Sequence, residues 1–234
     1  GIREIDSIDK EMIDLFSANI SVAFDNVYLN ERIINTQKEV IYKLGEVVES
    51  RSKGNSHHVR KVSEYVFLMA IKYGIDYDIA ELLKVSASMH DIGKIGIAQN
   101  ILIKPDKLTV EELEEVKKHS EIGFSILKYS KLKLMQVASV QAHEHHENFD
   151  GSGYPRGLSG ENIHLYGRIL AIADVFDTMT RDTVYRGKLS IDEAFEFIEE
   201  NKGKKFDPDL VEIFLSNKDE VLDILNKTFF EEKV

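Results

Sequence analysis

Cysteine and tryptophan are absent from the 234 residues, and proline occurs only three times, at 105, 155 and 208. Without cysteine there is no disulfide, no zinc–thiolate site, no iron–sulfur cluster and no thiol nucleophile. The absence fits a reducing cytoplasm, where the chain is expected to reside. Long apolar runs are missing too: none approaches the ~18 residues of a membrane span, so no membrane insertion is expected. Basic residues are in deficit, 30 against 41 acidic, for a net charge of −11. That balance disfavours DNA and anionic surfaces as partners. No signal-like apolar segment follows Gly1, so the sequence is expected to be a piece of a longer protein with a sensory or receiver domain upstream. What is present is 43% apolar and 30% charged, an ordinary globular balance. Eight histidines stand out against it, most of them beside carboxylates.

Strand-like alternation is scarce, and apolar residues recur at three- and four-residue spacing, which predicts an all-α fold. Ile13, Ile20, Val27, Ile34, Ile41 and Val48 fall seven apart, with Phe16, Ala23 and Leu44 three residues after members of the series. No glycine or proline interrupts residues 2 to 44. A sustained heptad stripe is a coiled-coil seam, so a long N-terminal helix that dimerises the chain is expected over residues 1–50. Asn30 and Gln37 are polar at companion positions and would set register. The competing reading is an amphipathic helix folded onto its own domain, but the stripe exceeds an ordinary globular helix.

Residues 51–234 are expected to form one globular domain. Val59, Val62, Val66, Met69 and Tyr73 make one helical face, closed by Gly74. Further helices are predicted over 78–91, 109–129, 131–147 and 165–180, the second opened by the capping box Thr109–Glu112. A second box, Ser190–Glu193, opens another helix, and Asp207-Pro208 caps a last one. Residues 148–162 are the longest irregular stretch.

Adjacent His90-Asp91 can face one centre only near a helix end, since helical neighbours diverge by ~100°; Gly93 and Gly96 follow at once. Alone, such a pair is more often a solvated surface feature. His145-His146-Glu147 is stronger, because two neighbouring imidazoles are costly to bury unless a cation holds them neutral. His119 alone reads as a core histidine inside a helix. His58 precedes an apolar face, and Asp174 lies in the apolar run Ile169–Phe176, where a carboxylate needs a partner. Nitrogen and carboxylate donors without sulfur suit manganese or iron better than zinc. Seven ligands are too many for one ion and suit two that share a carboxylate.

The run His90-Asp91-Ile92-Gly93-Lys94, then His145-His146-Glu147, then Asp150-Gly151-Ser152-Gly153-Tyr154-Pro155 closely resembles the HD-GYP family of cyclic di-GMP phosphodiesterases. The similarity runs from about Glu49 to Leu215 and includes Arg168-Ile169 through Asp174 and Phe206-Asp207-Pro208. The resemblance implies an HD-superfamily helical core, a binuclear iron or manganese centre and hydrolysis of cyclic di-GMP, or another cyclic dinucleotide, to the linear product. Carried over residue by residue, it implies metal ligands at His58, His90, Asp91, His119, His145, His146 and Asp174. Asp91 would bridge the ions, with His58, His90 and Asp174 on one and His119, His145 and His146 on the other. Lys94 is expected to meet a phosphate oxygen, making Asp91 and Lys94 the catalytic pair. Gly153, Tyr154, Pro155 and Arg186 are expected to touch substrate. His57, His143 and His164 are expected to be solvated or structural.

Two positions depart from the family pattern. Gly54 stands where relatives often carry a glutamate four residues before the ligand histidine, which implies two ions rather than three. Glu49, farther upstream, would reach the site only if the loop 52–56 folded over it. Thr183 stands in place of an arginine expected to hold phosphate. Two rivals follow: an HD-superfamily enzyme of mononucleotides, against which the Gly-Tyr-Pro loop argues, and an effector that binds metal and cyclic dinucleotide but signals through its N-terminal helix, which Thr183 favours.

Overall fold

The computed structural model describes residues 7–52, 56–181 and 189–227. Gly54, Thr183 and Arg186 lie outside them. Eleven α-helices are described: α1 (Ser7–Ser50), α2 (Ser56–Tyr73), α3 (Tyr77–Ala87), α4 (Gln99–Leu102), α5 (Val110–Lys117), α6 (His119–Leu127), α7 (Lys133–Glu144), α8 (Leu165–Thr180), α9 (Ile191–Glu200), α10 (Pro208–Ser216) and α11 (Lys218–Asn226). Short 3-10 turns span Ile92–Gly96 and Gly160–Asn162. Among the described residues no strand forms; two isolated bridges, Asp150 with Ser159 and Lys202 with Phe206, tie loops together. The expected all-α class is the observed one.

The chain divides into two compact units, Gly1–Val40 and Ile41–Val234. The division falls inside α1, earlier than the expected boundary at residue 50. Tyr42, Val48 and Glu49 are buried, and Tyr42 clusters with Val59 and Val85. The last two members of the heptad series therefore differ from the rest. Ile41 packs into the globular unit and Val48 is 5% exposed. Within the first unit, Ile13, Phe16, Ile20, Val27 and Ile34 all stand exposed.

In the second unit the main core gathers Tyr65, Val66 and Met69 of α2, Leu83 of α3, Ile169, Ile172 and Phe176 of α8, Ile198 of α9, Leu210 and Phe214 of α10 and Val221 of α11. Phe176 is its centre, with ring centroids 5.6 Å from Tyr65, 5.0 Å from Phe214 and 4.9 Å from Phe195. These edge-on and tilted geometries are the favoured aromatic ones. Both capping boxes form, at Thr109 and Ser190, and Asp207 caps α10 with Pro208 at its first position. Helix α10 is followed by α11, so the last predicted helix is not the last. Tyr73 is exposed and leaves the buried face of α2.

The informative differences are at helix ends. The helix predicted to His90-Asp91 stops at Ala87, the one predicted to 147 stops at Glu144, and the one predicted over 109–129 breaks between Lys117 and His119. Each end or break lies beside a histidine: His90 and His145 follow the ends of α3 and α7, and His119 opens α6.

Candidate metal centre

His58 sits in the first turns of α2, His90 and Asp91 in the turn after α3, His119 at the start of α6, His145 and His146 just past α7, and Asp174 within α8. These residues come together. Asp91 Oδ2 lies 3.3 Å from His90 Nε2, and Asp91 Oδ1 lies 3.2 Å from His119 Nε2 and 3.9 Å from His145 Nε2. Asp174 Oδ1 lies 3.4 Å from His58 Nε2 and 3.8 Å from His90 Nε2. The ring of His146 lies 3.9 Å from that of His145 and 5.0 Å from that of His119. Two donor sets result, Asp91 with His119, His145 and His146, and Asp91 with His58 and His90; within each, the donor atoms fall within 4.8 Å of one another.

The rings are oriented from behind. His90 Nδ1 donates to Ala87 O at 2.8 Å, His119 Nδ1 to Val116 O at 2.7 Å, and His145 Nδ1 to Gln141 O at 3.0 Å. His58 Nδ1 donates to Asp177 Oδ2 at 2.6 Å, both side chains nearly dry. With Nδ1 occupied, each ring turns its Nε2 to the centre, as metal-ligating histidines do. His119 is buried at the start of α6 and faces Asp91. Asp177 was missed in the sequence; its place one turn after Asp174 on α8 was the available signal.

Burial holds His145 down at about 3 and pushes His119 and His146 below the ordinary imidazole range. Burial acts the same way on His90, but Asp91, with help from Asp174, outweighs it and lifts His90 to about 9. Asp91 is held far below the carboxylate range: Lys94 and His90 overcome its burial. His90 Nε2 is buried with no hydrogen-bond partner among the described residues. The orphaned ring nitrogen of His90, imidazoles held neutral at His119, His145 and His146, and ionised carboxylates at Asp91 and Asp174 fit a divalent cation.

Lys94 lies beside this cluster, 2.6 Å from Asp91 Oδ2 and 3.0 Å from Glu49 Oε2. Glu49 reaches it directly from the last turn of α1, and not by the loop route expected from its place in the sequence. Gly93 lets the turn 92–96 lie against α6, since a Cβ there would stand 1.9 Å from His119 O. Gly153 is equally confined, with Asn148 N at 2.2 Å and His146 O at 2.5 Å from the Cβ it lacks. The loop it belongs to is held by Tyr154 N donating to His146 O at 3.1 Å, and by Arg156 N and Leu158 N donating to Glu147 at 2.8 and 2.9 Å. Glu144 adds a hydrogen bond from His164 N and an ion pair with Arg156. The Tyr154 ring stacks on His146 at 4.7 Å, with the Lys117 ammonium 5.4 Å from its centre. Pro155 follows in the same half-buried turn. Lys205, unnoticed in the sequence, lies close enough to Asp174 to feel its charge, though burial lowers its pKa overall. Phe149 N and Asp150 N donate to Lys205 O and Lys204 O, joining the two loops. His143 stacks on Phe124 at 4.1 Å and His164 caps α8, both apart from the centre.

A helical core that brings histidines and an adjacent His-Asp pair to one buried centre defines an HD-type metal-binding domain. The chain belongs to the HD domain family, whose model matches residues 29–210; a domain of unknown function matches residues 1–33. It is similar to 3′3′-cGAMP-specific phosphodiesterase 2 of Vibrio cholerae, 39% identical over 95% of this chain and 42% of that protein. It is also 39% identical to a cyclic di-GMP phosphodiesterase of Thermotoga maritima, over 81% of this chain and 51% of that one. The chain thus spans about half the length of these curated relatives. Its fold matches the crystal structure of the cyclic GMP-AMP-specific phosphodiesterase V-cGAP3 of V. cholerae with a TM-score of 0.60 at 18% identity, covering 81% of this chain and 53% of that one. No described helix is long and apolar enough to cross a membrane.

Proposed function

We propose that this chain hydrolyses a phosphodiester bond of a cyclic dinucleotide, cyclic di-GMP in the first instance, to the linear dinucleotide. The observation that carries the reading is the anchoring of His58, His90, His119 and His145 through Nδ1, which turns their Nε2 atoms toward Asp91 and Asp174. Two ions, manganese or iron, would be held by His58, His90, Asp91, His119, His145, His146 and Asp174. When bound, such cations polarise water and phosphoryl oxygens, making hydroxide available near neutral pH.

The chain's own groups do the rest. Lys94 presents a fully charged ammonium to a phosphoryl oxygen and offsets the charge that builds on it in the transition state. Water adds to phosphorus in line with the ribose oxygen; that phosphorus–oxygen bond breaks, and the departing oxygen takes up a proton. The loop Gly153-Tyr154-Pro155 lines the approach, and Arg186 is a further substrate-binding residue on the family resemblance alone. The exposed stripe Ile13–Ile34 pairs α1 with α1 of a second copy, making a parallel homodimer. That the similar proteins are phosphodiesterases of cyclic di-GMP and of 3′3′-cGAMP supports a cyclic dinucleotide as the substrate class.

Thr183, where the family carries an arginine, favours a second reading, an effector that binds without turnover. Incubation of manganese-loaded protein with cyclic di-GMP, 3′3′-cGAMP and a mononucleotide separates them. Linear dinucleotide product supports the proposal. Binding without product supports the effector, and hydrolysis of the mononucleotide alone overturns both.

A further inference from the structure

Glu49 is among the most buried carboxylates in the protein, 2% exposed, and it sits on the last turn of α1 rather than on the helices that bear the histidines. Its two oxygens have separate partners. Oε2 accepts from Lys94 Nζ at 3.0 Å, with Ser52 Oγ at 3.4 Å, while Oε1 accepts from Arg181 at 3.2 Å. Arg181 Nε lies 3.8 Å from Asp177 Oδ2, the same oxygen that holds His58. Lys94 in turn touches Asp91. A continuous chain of charges thus runs Asp91, Lys94, Glu49, Arg181, Asp177, His58, and Glu49 is its only member from α1.

We propose that Glu49 is the positioning residue for Lys94, and that α1 thereby controls whether the site is competent. The inference rests on the role given to Lys94 above. Lys94 has two carboxylate partners, and they are not equivalent. Asp91 is also a donor in both candidate metal sets, so a cation bound there competes with the ammonium for the same oxygens. Glu49 belongs to neither set, and it is the anion that still holds Lys94 once Asp91 is engaged. Arg181 and Ser52 fix the carboxylate in turn, so its direction is set by groups outside the metal cluster. The end of α1 is itself seated without play. A Cβ on Gly45 would stand 2.1 Å from Ser88 O, and Arg51 donates to Ile95 O at 3.1 Å and Ile97 O at 3.0 Å, carbonyls flanking the turn that bears Lys94. Helix end and Lys94 turn therefore move as one body, joined by backbone contacts as well as by the ion pair.

The test uses the full chain loaded with manganese and compares Glu49→Gln, Glu49→Asp, Lys94→Met and the double variant Glu49→Gln/Lys94→Met. Glu49→Gln is expected to lower kcat by about 10- to 100-fold, the scale of a misplaced catalytic group, with KM and manganese content unchanged. Glu49→Asp, which keeps the charge, recovers part of the loss. In the Lys94→Met background the glutamine costs nothing further. A second readout needs no turnover: acetylation of Lys94 by a water-soluble amine reagent, followed by mass spectrometry, is faster in Glu49→Gln than in the parent. Parental kcat in Glu49→Gln overturns the proposal, as does an equal loss in both backgrounds. Loss of manganese in Glu49→Gln overturns it too, by making Glu49 a ligand. If the parent hydrolyses no cyclic dinucleotide, the functional reading fails separately, and unchanged acetylation of Lys94 in Glu49→Gln then refutes the link between the two residues.

Discussion

Replacing Asp177 with alanine removes the acceptor behind His58 without touching any of the expected metal donors. The bond it removes is short, 2.6 Å, between side chains 1% and 4% exposed, so water cannot readily substitute. Two effects follow. A buried ring N–H left without an acceptor costs about 1–3 kcal/mol of stability. The ring also loses the group that fixes its tautomer and direction, and such losses weaken metal binding by about 10- to 100-fold, or about 1.4 to 2.7 kcal/mol at about 1.36 kcal/mol per decade. Asp177→Asn should be milder, since its amide oxygen still accepts from Nδ1 but without the charge. The assay is competition for manganese between the stripped protein and a fluorescent chelator, with thermal unfolding recorded in parallel. Only the class of ion held through His58 and His90 should weaken; the class held through His119, His145 and His146 should keep its affinity. Parental affinity for both classes in a folded Asp177→Ala protein would refute the account of how His58 is oriented.

Metal-free protein should be most stable near pH 6.5 and lose stability on either side. His145 is held at about 3, against about 6.5 in the unfolded chain; as pH falls from 6.5 toward 3 only the unfolded chain takes the proton, withdrawing up to about 5 kcal/mol. His90, lifted to about 9, contributes fully below pH 6.5, and that contribution is lost as pH rises through 9; a melting temperature flat from pH 4.5 to 9 would contradict both. Gly153→Ala forces a Cβ against backbone on several sides and should cost about 2 kcal/mol, or about 4–8 °C in Tm, and loosen Tyr154 from His146; an unchanged Tm would show that the loop yields. Changing Ile20 and Ile34 together to Asp should halve the mass seen in analytical ultracentrifugation, and a mass equal to the parent's counts against the seam.

Part of the cluster was legible locally: His90-Asp91 followed by glycines, and His145-His146 before an irregular stretch, each pointed to a helix end, whereas His58, His119 and Asp174 joined the candidate set through the family resemblance. The capping boxes at Thr109 and Ser190 were legible for the same reason, since both partners lie within one turn. What escaped was long-range. Periodicity carried one helix through 109–129, because nothing in Lys117-Lys118-His119 disfavours helix; the break belongs to packing, where Gly93 lies against His119 O. Asp177 read as one more polar residue on α8, since its partner is 119 positions away. Glu49 was judged by its distance along the chain from His58, whereas a helix end brought its carboxylate in directly. The heptad series gave no warning that Ile41 and Val48 serve a different surface from Ile13 to Ile34, because spacing alone does not say which partner a stripe meets.

The carbonyls that hold His90, His119 and His145 belong to Ala87, Val116, Gln141 and Ala142, in the closing turns of α3, α5 and α7. Closing turns carry the negative ends of helix dipoles, and here several converge on one cluster that already includes Asp91 and Asp174, with Asp177 and Glu49 beside it. Together these ends and carboxylates draw positive charge to the histidines, and Lys94 and Arg181 already answer part of it, within a chain of net charge −11. The substrate proposed above, a cyclic dinucleotide, carries two negative phosphates. On that reading a cation would load before the nucleotide, and the fate of the nucleotide would be tied to the supply of the ion.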